Sequence, residues 1–215
     1  MRKMSWRDRA AQHIQENMSL YLFVSVLLLM GVIFGAVLVN SLQDSQKQDL
    51  YFYLNRFFGQ VSEGKFADGG EMFRQSYFSH LKYIGFLWIL GISIIGLPII
   101  FILLFAKGVM VGFTVGFLVH QLGWNGFLLA FVSVLPQNLI MIPAVIVMTT
   151  IAVSFSLRMI RHQFIRRLHE PLLPLFARYT ICFCIVGLAA ALASGVEAYM
   201  SPALMKNVIE VIKQK

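Results

Sequence analysis

Between Lys107 and Arg158 lie 50 consecutive residues without one Asp, Glu, Lys or Arg. As a single helix this run would be about 75 Å long at 1.5 Å per residue, far more than a hydrocarbon core of about 30 Å. It predicts two membrane crossings joined by a turn. The turn belongs at His120-Gln121-Leu122-Gly123-Trp124-Asn125-Gly126, where polar residues, two glycines and an interfacial Trp gather. The limbs are then a short span over 108–119, crossing with little tilt or re-entrant, and a longer span over 127–155 that Pro136 and Pro143 are expected to kink.

The rest of the chain agrees. Hydrophobic residues make up 58% and charged residues 13%, against about 45–50% and 25% in soluble domains, so soluble, disordered and nucleic-acid-binding classes fall away. Leu20 to Val39 is an uncharged run of spanning length, expected to anchor the chain since no small-x-small cleavage site follows it. A second span is expected over 83–106, with Pro98 as a kink, and a last over 179–196, extending towards 205. The expected fold is all-α: a polytopic membrane protein of about five transmembrane helices, because backbone polar groups in lipid are satisfied within helices.

The net charge of +8 is clustered. Arg2, Lys3, Arg7 and Arg9 dominate residues 1–19, and Arg158, Arg161, Arg166, Arg167 and Arg178 dominate 156–178, while 40–82 is balanced. Lys and Arg favour cytoplasmic loops, so the N-terminus, a short connection at Lys107 and the basic loop are assigned to the cytoplasm. Five crossings would put the tail, 206–215, outside, although its lysines argue mildly against that. Arg158, Arg161, Arg166 and Arg167 read most simply as orientation signals and contacts for anionic lipid; flanking arginines disfavour a metal at His162 and His169. Cys182 and Cys184 point to different sides of a helix, which suits neither a disulfide nor zinc.

The outer segment 40–82 carries two amphipathic patterns. Leu50, Tyr53, Leu54, Phe57 and Phe58 recur at helical spacing, as do Met72, Phe73, Tyr77, Phe78 and Leu81. They predict two short interfacial helices joined by Ser62-Glu63-Gly64 and Asp68-Gly69-Gly70. Tyr53, Phe57, Phe58, Phe73 and Tyr77 anchor them in the headgroup layer or dock a partner. Within the spans, small residues recur as stripes: Gly31 and Gly35; Gly108, Gly112 and Gly116; Gly187, Ala191 and Gly195. Such stripes let backbones approach closely in lipid. Packing within the chain is the simpler use; a partner span or a second copy is the alternative.

Chemistry is sparse. No His-Glu-x-x-His, Gly-x-Ser-x-Gly or Walker loop occurs, and no ionisable group is expected at depth. Arg178 and Glu197 are placed near opposite ends of the last span, where snorkelling accounts for them, and His80 and His120 are placed at the outer interface. Catalytic residues, metal ligands and cofactors are therefore not expected.

The literal sequence goes further. Ser19-Leu-Tyr-Leu-Phe-Val-Ser-Val, Met30-Gly-Val-Ile-Phe-Gly-Ala, Val39-Asn-Ser-Leu42, Ser45-Gln-Lys-Gln-Asp-Leu-Tyr51, Phe57-Phe-Gly-Gln60 and Leu135-Pro-Gln-Asn-Leu-Ile-Met-Ile-Pro143 follow one another in order. Together they resemble the stage II sporulation protein M family of endospore-forming bacteria, over essentially the whole chain. The chain departs from the broader family's His-Gly and Glu in the central span, where Gln137, Asn138 and Met141 stand. The resemblance implies a membrane scaffold for engulfment, in the mother-cell septal membrane, assembled with the peptidoglycan-degrading stage II sporulation proteins D and P. A transporter or permease subunit coupled to a cytosolic ATPase is the alternative, with the proline-bearing span as pathway and the basic loop as coupling surface. Copurification with wall hydrolases separates the first from the second; solute flux separates the second from the first.

Overall fold

The computed structural model describes residues 14–62, 68–93, 95–164 and 172–205. Six helices account for most of them: α1 (Met18–Leu38), extended by a 3-10 turn (Val39–Ser41); α2 (Asp44–Ser62); α3 (Gly69–Ile92); α4 (Gly96–Ser133); α5 (Leu135–Phe164); and α6 (Leu172–Gly195), continued by a π turn (Val196–Met200). No strand occurs among the described residues. Four stretches are long and apolar enough to cross a membrane, Met18–Ser41, Gly96–Ser133, Leu135–Ile160 and Pro174–Met205. Large apolar side chains at helical spacing, such as Leu22, Val26, Leu29 and Ile33 on α1 and Ile181, Ile185, Leu188 and Leu192 on α6, face outward. That surface suits lipid and would be a liability in water.

The most extensive packing joins α1 to α4. A methyl group at Gly31 would lie 2.5 Å from the Phe105 carbonyl oxygen, and one at Gly116 would lie 2.9 Å from the Ala36 Cα. Methyl groups at Gly35, Gly108 and Gly112 would collide with the carbonyls of Val109, Leu28 and Val32. Two stripes read separately in the sequence are therefore two sides of one contact. Because Gly31, Gly35 and Ala36 meet Phe105, Val109 and Gly116 in turn, the two helices run parallel.

A parallel neighbour needs a returning chain, which α3 provides. Its end carries Leu87, Trp88 and Gly91 against Tyr179 of α6, while its start, Gly69, lies against Tyr199. α3 is therefore antiparallel to α6. α5 follows α3 in direction: Ala152 meets Gly91, and Ser156 donates to the Ser93 carbonyl at 3.3 Å. Ser154 donates to Asn17 Oδ1 at 2.8 Å, tying the end of α5 to the start of α1. Trp88, Phe155, Phe176, Tyr179 and Phe183 form an aromatic cluster among α3, α5 and α6, with Phe155 stacked 4.6 Å from Tyr179.

Several expected boundaries change. The stretch 83–106 is not one helix, because Ser93 adopts an extended conformation and the chain restarts at Gly96. Residues 83–92 instead continue the amphipathic segment 69–82, so the second expected interfacial helix is the first half of α3. No Gly or Pro interrupts Met72 to Tyr83, so nothing breaks the helix there. Residues 108–119 are likewise no short span: they belong to a limb covering 96–122. The turn at Gly123 is where the sequence places it, with φ 57° and ψ −130°, a left-handed conformation suited to glycine. A second limb, 124–133, folds back, with Gly126 against the Leu118 carbonyl, and α5 begins only after a further turn at Val134. Pro98 and Pro136 are not mid-helix kinks. Each lies in a first helical turn, where a missing N–H costs nothing, whereas Pro143 is inside α5.

Replacing Gly112 with Leu is expected to destabilise the bundle by about 1–3 kcal/mol or more through overpacking. Leu at Gly195, where nothing lies within 4 Å, is expected to shift stability by less than about 0.5 kcal/mol. Thermal unfolding of both variants in detergent checks this; equal effects would show that α1 and α4 do not meet there.

Candidate functional site

α3 and α6 cross where both turn polar side chains inward. Ser76 and His80 are one helical turn apart on α3 and share a face. Opposite them lie Ser194, at the end of α6, and Glu197, in the π turn. The π turn has a local cause: Pro202 offers no N–H to the Ala198 carbonyl and its ring crowds that carbonyl, so the preceding turn widens.

Glu197 is the hub. Ser76 Oγ donates to Glu197 Oε2, and Ser76 Oγ also lies 3.3 Å from Ser194 Oγ. His80 Nε2 stands 3.4 Å from the same carboxylate oxygen. From α5, the Gln137 amide reaches the carboxylate when its nitrogen is turned towards it, at 3.2 Å from Oε1 and closer still to Oε2. Lys107 of α4 is within electrostatic reach of Glu197 and also lies 5.7 Å from the centroid of the Tyr83 ring, whose hydroxyl donates to the Leu103 carbonyl. Polar groups from α3, α4 and α5 thus converge on one carboxylate at the end of α6.

Depth gives the cluster its meaning. Ser76 and His80 lie about 10–16 Å along α3 from Gly69 at 1.5 Å per residue, and Lys107 is next to Gly108, which packs against the middle of α1. The expectation that no ionisable group lies at depth is overturned. Lys107 is not a loop charge, because the limb 96–122 runs straight through it, and it drops out of the cytoplasmic charge count. Glu197 is not a snorkelling end residue, because the helix continues past it to Met205. His80 is held at the Glu197 carboxylate. Charges inside a membrane are costly and persist where partners hold them. The signal missed in the sequence was Ser76, His80, Lys107, Gln137 and Glu197 each standing alone on a different stretch, with no spacing to connect them.

The other expected residues are distributed elsewhere. On α2, Leu54 packs into an apolar cluster with Leu118, Leu122, Leu129, Ala130 and Met205, while Tyr51, Phe52 and Tyr53 are exposed. Phe73 and Tyr77 stack 6.0 Å apart on α3, and Tyr77 also packs against the main core. The side chains of Phe57 and Phe58, and those of Arg161, Arg166 and Arg167 with His162 and His169, lie outside the described residues, as do the Ser62-Glu63-Gly64 side chains, the segment 1–13 and the tail 206–215. Arg158 is exposed near the end of α5. No backbone of another helix lies within 4 Å of a methyl group placed at Gly187 or Gly195; the α6 residues buried there are Ala190, Ala193 and Ser194. Cys182 and Cys184 are free thiols. Among the described residues no group of three or more His, Cys, Asp and Glu is placed to hold a metal.

A family model, Stage II sporulation protein M, matches residues 24–202. The match takes in α1 through the π turn, so the chain belongs to that family and is a sporulation-related membrane protein. No curated protein and no solved structure matches it.

Gln137→Leu is expected to cost about 1–3 kcal/mol, because it leaves the carboxylate short of a donor. Ser76→Ala is expected to act similarly, and the two effects should not add. A double-mutant cycle read by thermal unfolding checks the coupling; strict additivity would mean that the two side chains do not share Glu197.

Proposed function

We propose that this member of the stage II sporulation protein M family is a non-enzymatic scaffold for engulfment. It gathers the peptidoglycan-degrading stage II sporulation proteins D and P at the outer face of the mother-cell septal membrane. The observation that carries the reading is the division of labour on α2. Leu54 seats the helix on the end of the bundle, while the adjacent Tyr51, Phe52 and Tyr53 remain uncovered at 42%, 65% and 67% exposure. Aromatic residues with a polar tip are favoured both at interfaces between proteins and in the headgroup layer.

Orientation supports an outward position for α2. The end of α5 that bears Arg158 is tied to the start of α1 through Ser154 and Asn17, and the basic loop and basic N-terminal segment follow directly from these ends. The bias of Lys and Arg towards the cytoplasm puts that end inside and the Gly123 end, with α2, outside.

A second reading has its own support. An ionisable cluster at depth is the feature by which transporters and permeases are recognised, and Glu197, His80 and Lys107 supply one. A transport or permease subunit coupled to a cytosolic ATPase would use it as part of a pathway.

Replacing Tyr51, Phe52 and Tyr53 together by Ser is expected to reduce copurification of the two hydrolases at least several-fold while leaving the scaffold's membrane level unchanged. Undiminished copurification would remove α2 as the docking surface. Solute flux through the reconstituted chain, without hydrolase binding, would favour the second reading.

A further inference from the structure

α3 is not among the stretches apolar enough to cross a membrane unaided, and its outward face shows why. The inward stripe, Ser76, His80, Ile84, Leu87 and Gly91, turns towards α5, α6 and the π turn. The opposite face carries Gln75, Ser79 and Lys82, all exposed. Among the described residues no hydrogen bond or ion pair holds the Lys82 ammonium.

Lys82 stands at depth. Tyr83, the next residue, donates its hydroxyl to the Leu103 carbonyl at 3.1 Å and lies beneath the Lys107 ammonium. Lys107 adjoins Gly108, which packs against the Leu28 carbonyl and Gly31 in the middle of the apolar stretch Met18–Ser41. From the other direction, Gly91 meets Ala152, close to the Ser154 hydroxyl that reaches Asn17 at the start of that stretch. Along α3, Lys82 lies about 13 Å from Gly91 and about 20 Å from Gly69 at 1.5 Å per residue. Its four-carbon stem covers only a fraction of either distance, so snorkelling does not remove the charge from the interior of the membrane.

We propose that the outward face of α3 around Lys82 is a docking site for a transmembrane helix of another protein that carries one carboxylate near its midpoint. Charge inside a membrane is held by partners, and an outward lysine calls for an acid brought from outside the chain. Lipid tails offer no acceptor. A water-filled crevice does not match the surroundings: Phe78, one turn before Lys82, and Phe86 and Ile89, one and two turns after it, are each more than half exposed on the same side. A second copy of the chain brings no matching group. Glu197 is the acid at this depth among the described residues, and Ser76, His80 and Gln137 engage it on the inward side of α3.

A helix with a single Asp or Glu amid apolar residues satisfies the whole face. Its carboxylate pairs with Lys82, its apolar side chains cover Phe78, Phe86 and Ile89, and Gln75 and Ser79 offer hydrogen bonds between the helices. Helical side chains lean towards the N-terminus of their own helix, so the partner's acid meets the ammonium at a level between Ser79 and Lys82. The site is separate from the aromatic surface of α2 and does not rest on the scaffold reading; failure of docking at one leaves the other to be judged by its own experiment.

The test places the full chain in phosphatidylcholine vesicles with a fluorescent single-span peptide of Leu and Ala that carries Asp at its centre, and reads energy transfer between the two. The Asp peptide is expected to associate at least several-fold more tightly than the same peptide with Leu or Lys at its centre. Lys82→Gln is expected to remove that preference, whereas Arg74→Gln, near the start of α3, leaves it. Lys82→Asp is expected to transfer the preference to the Lys peptide, an outcome that loss of fold cannot imitate. Equal association of the Asp and Leu peptides with the wild type, or a preference that persists in a folded Lys82→Gln protein, overturns the proposal. Lys82→Cys, combined with Cys182→Ala and Cys184→Ala, is expected to react slowly with a membrane-impermeant maleimide; rapid labelling would identify a water-filled crevice and overturn it. Loss of the Asp preference on adding phosphatidylglycerol would assign Lys82 to anionic headgroups, and energy transfer between two copies that Lys82→Gln abolishes would assign it to a homodimer. Either result also overturns it.

Discussion

The contact between α1 and the first limb of α4 is the constraint from which the rest of the bundle follows. Lipid gives two apolar helices no hydrophobic reason to associate, so association depends on how closely their backbones approach. Gly31 and Gly35 on one side and Gly108, Gly112 and Gly116 on the other remove the side chains that would hold them apart. The stripes also set the direction of packing. Two helices held parallel require the chain to return between them, and α3 makes that return.

Once α4 is fixed against α1, Lys107 is carried to the middle of the bundle. An unpaired ammonium there would be prohibitive. The structure answers with Tyr83 beneath it and Glu197 within electrostatic reach. Glu197 in turn requires donors, and Ser76, His80 and Gln137 provide them from two other helices. A buried polar network of this kind contributes less to net stability than to uniqueness of packing, since a helix that slid by a turn would strand a charge.

The same arrangement links the polar cluster to the end of the bundle that holds Leu54. α3 carries Ser76 and His80 to Glu197, while Met205, a short way beyond Glu197, joins Leu54 of α2 in one apolar cluster.

The sequence by itself determined the class of molecule: an uncharged run too long for one crossing, a compositional excess of apolar residues and clustered arginines establish a helical membrane protein. It also placed the turn at Gly123, because glycine, Trp and polar residues gather there locally. The ordered motifs from Ser19 to Pro143 carried the family. Tertiary structure alone decided where helices end when no breaker marks the place, as between the two halves of α3, and whether a proline kinks a helix or begins one, as at Pro98 and Pro136. It alone made one contact of two glycine stripes and one site of five scattered polar residues. The physical reason is range: propensity, hydropathy and turn chemistry act over a few neighbouring residues, whereas the partners of Glu197 come from helices that meet only after the chain has folded.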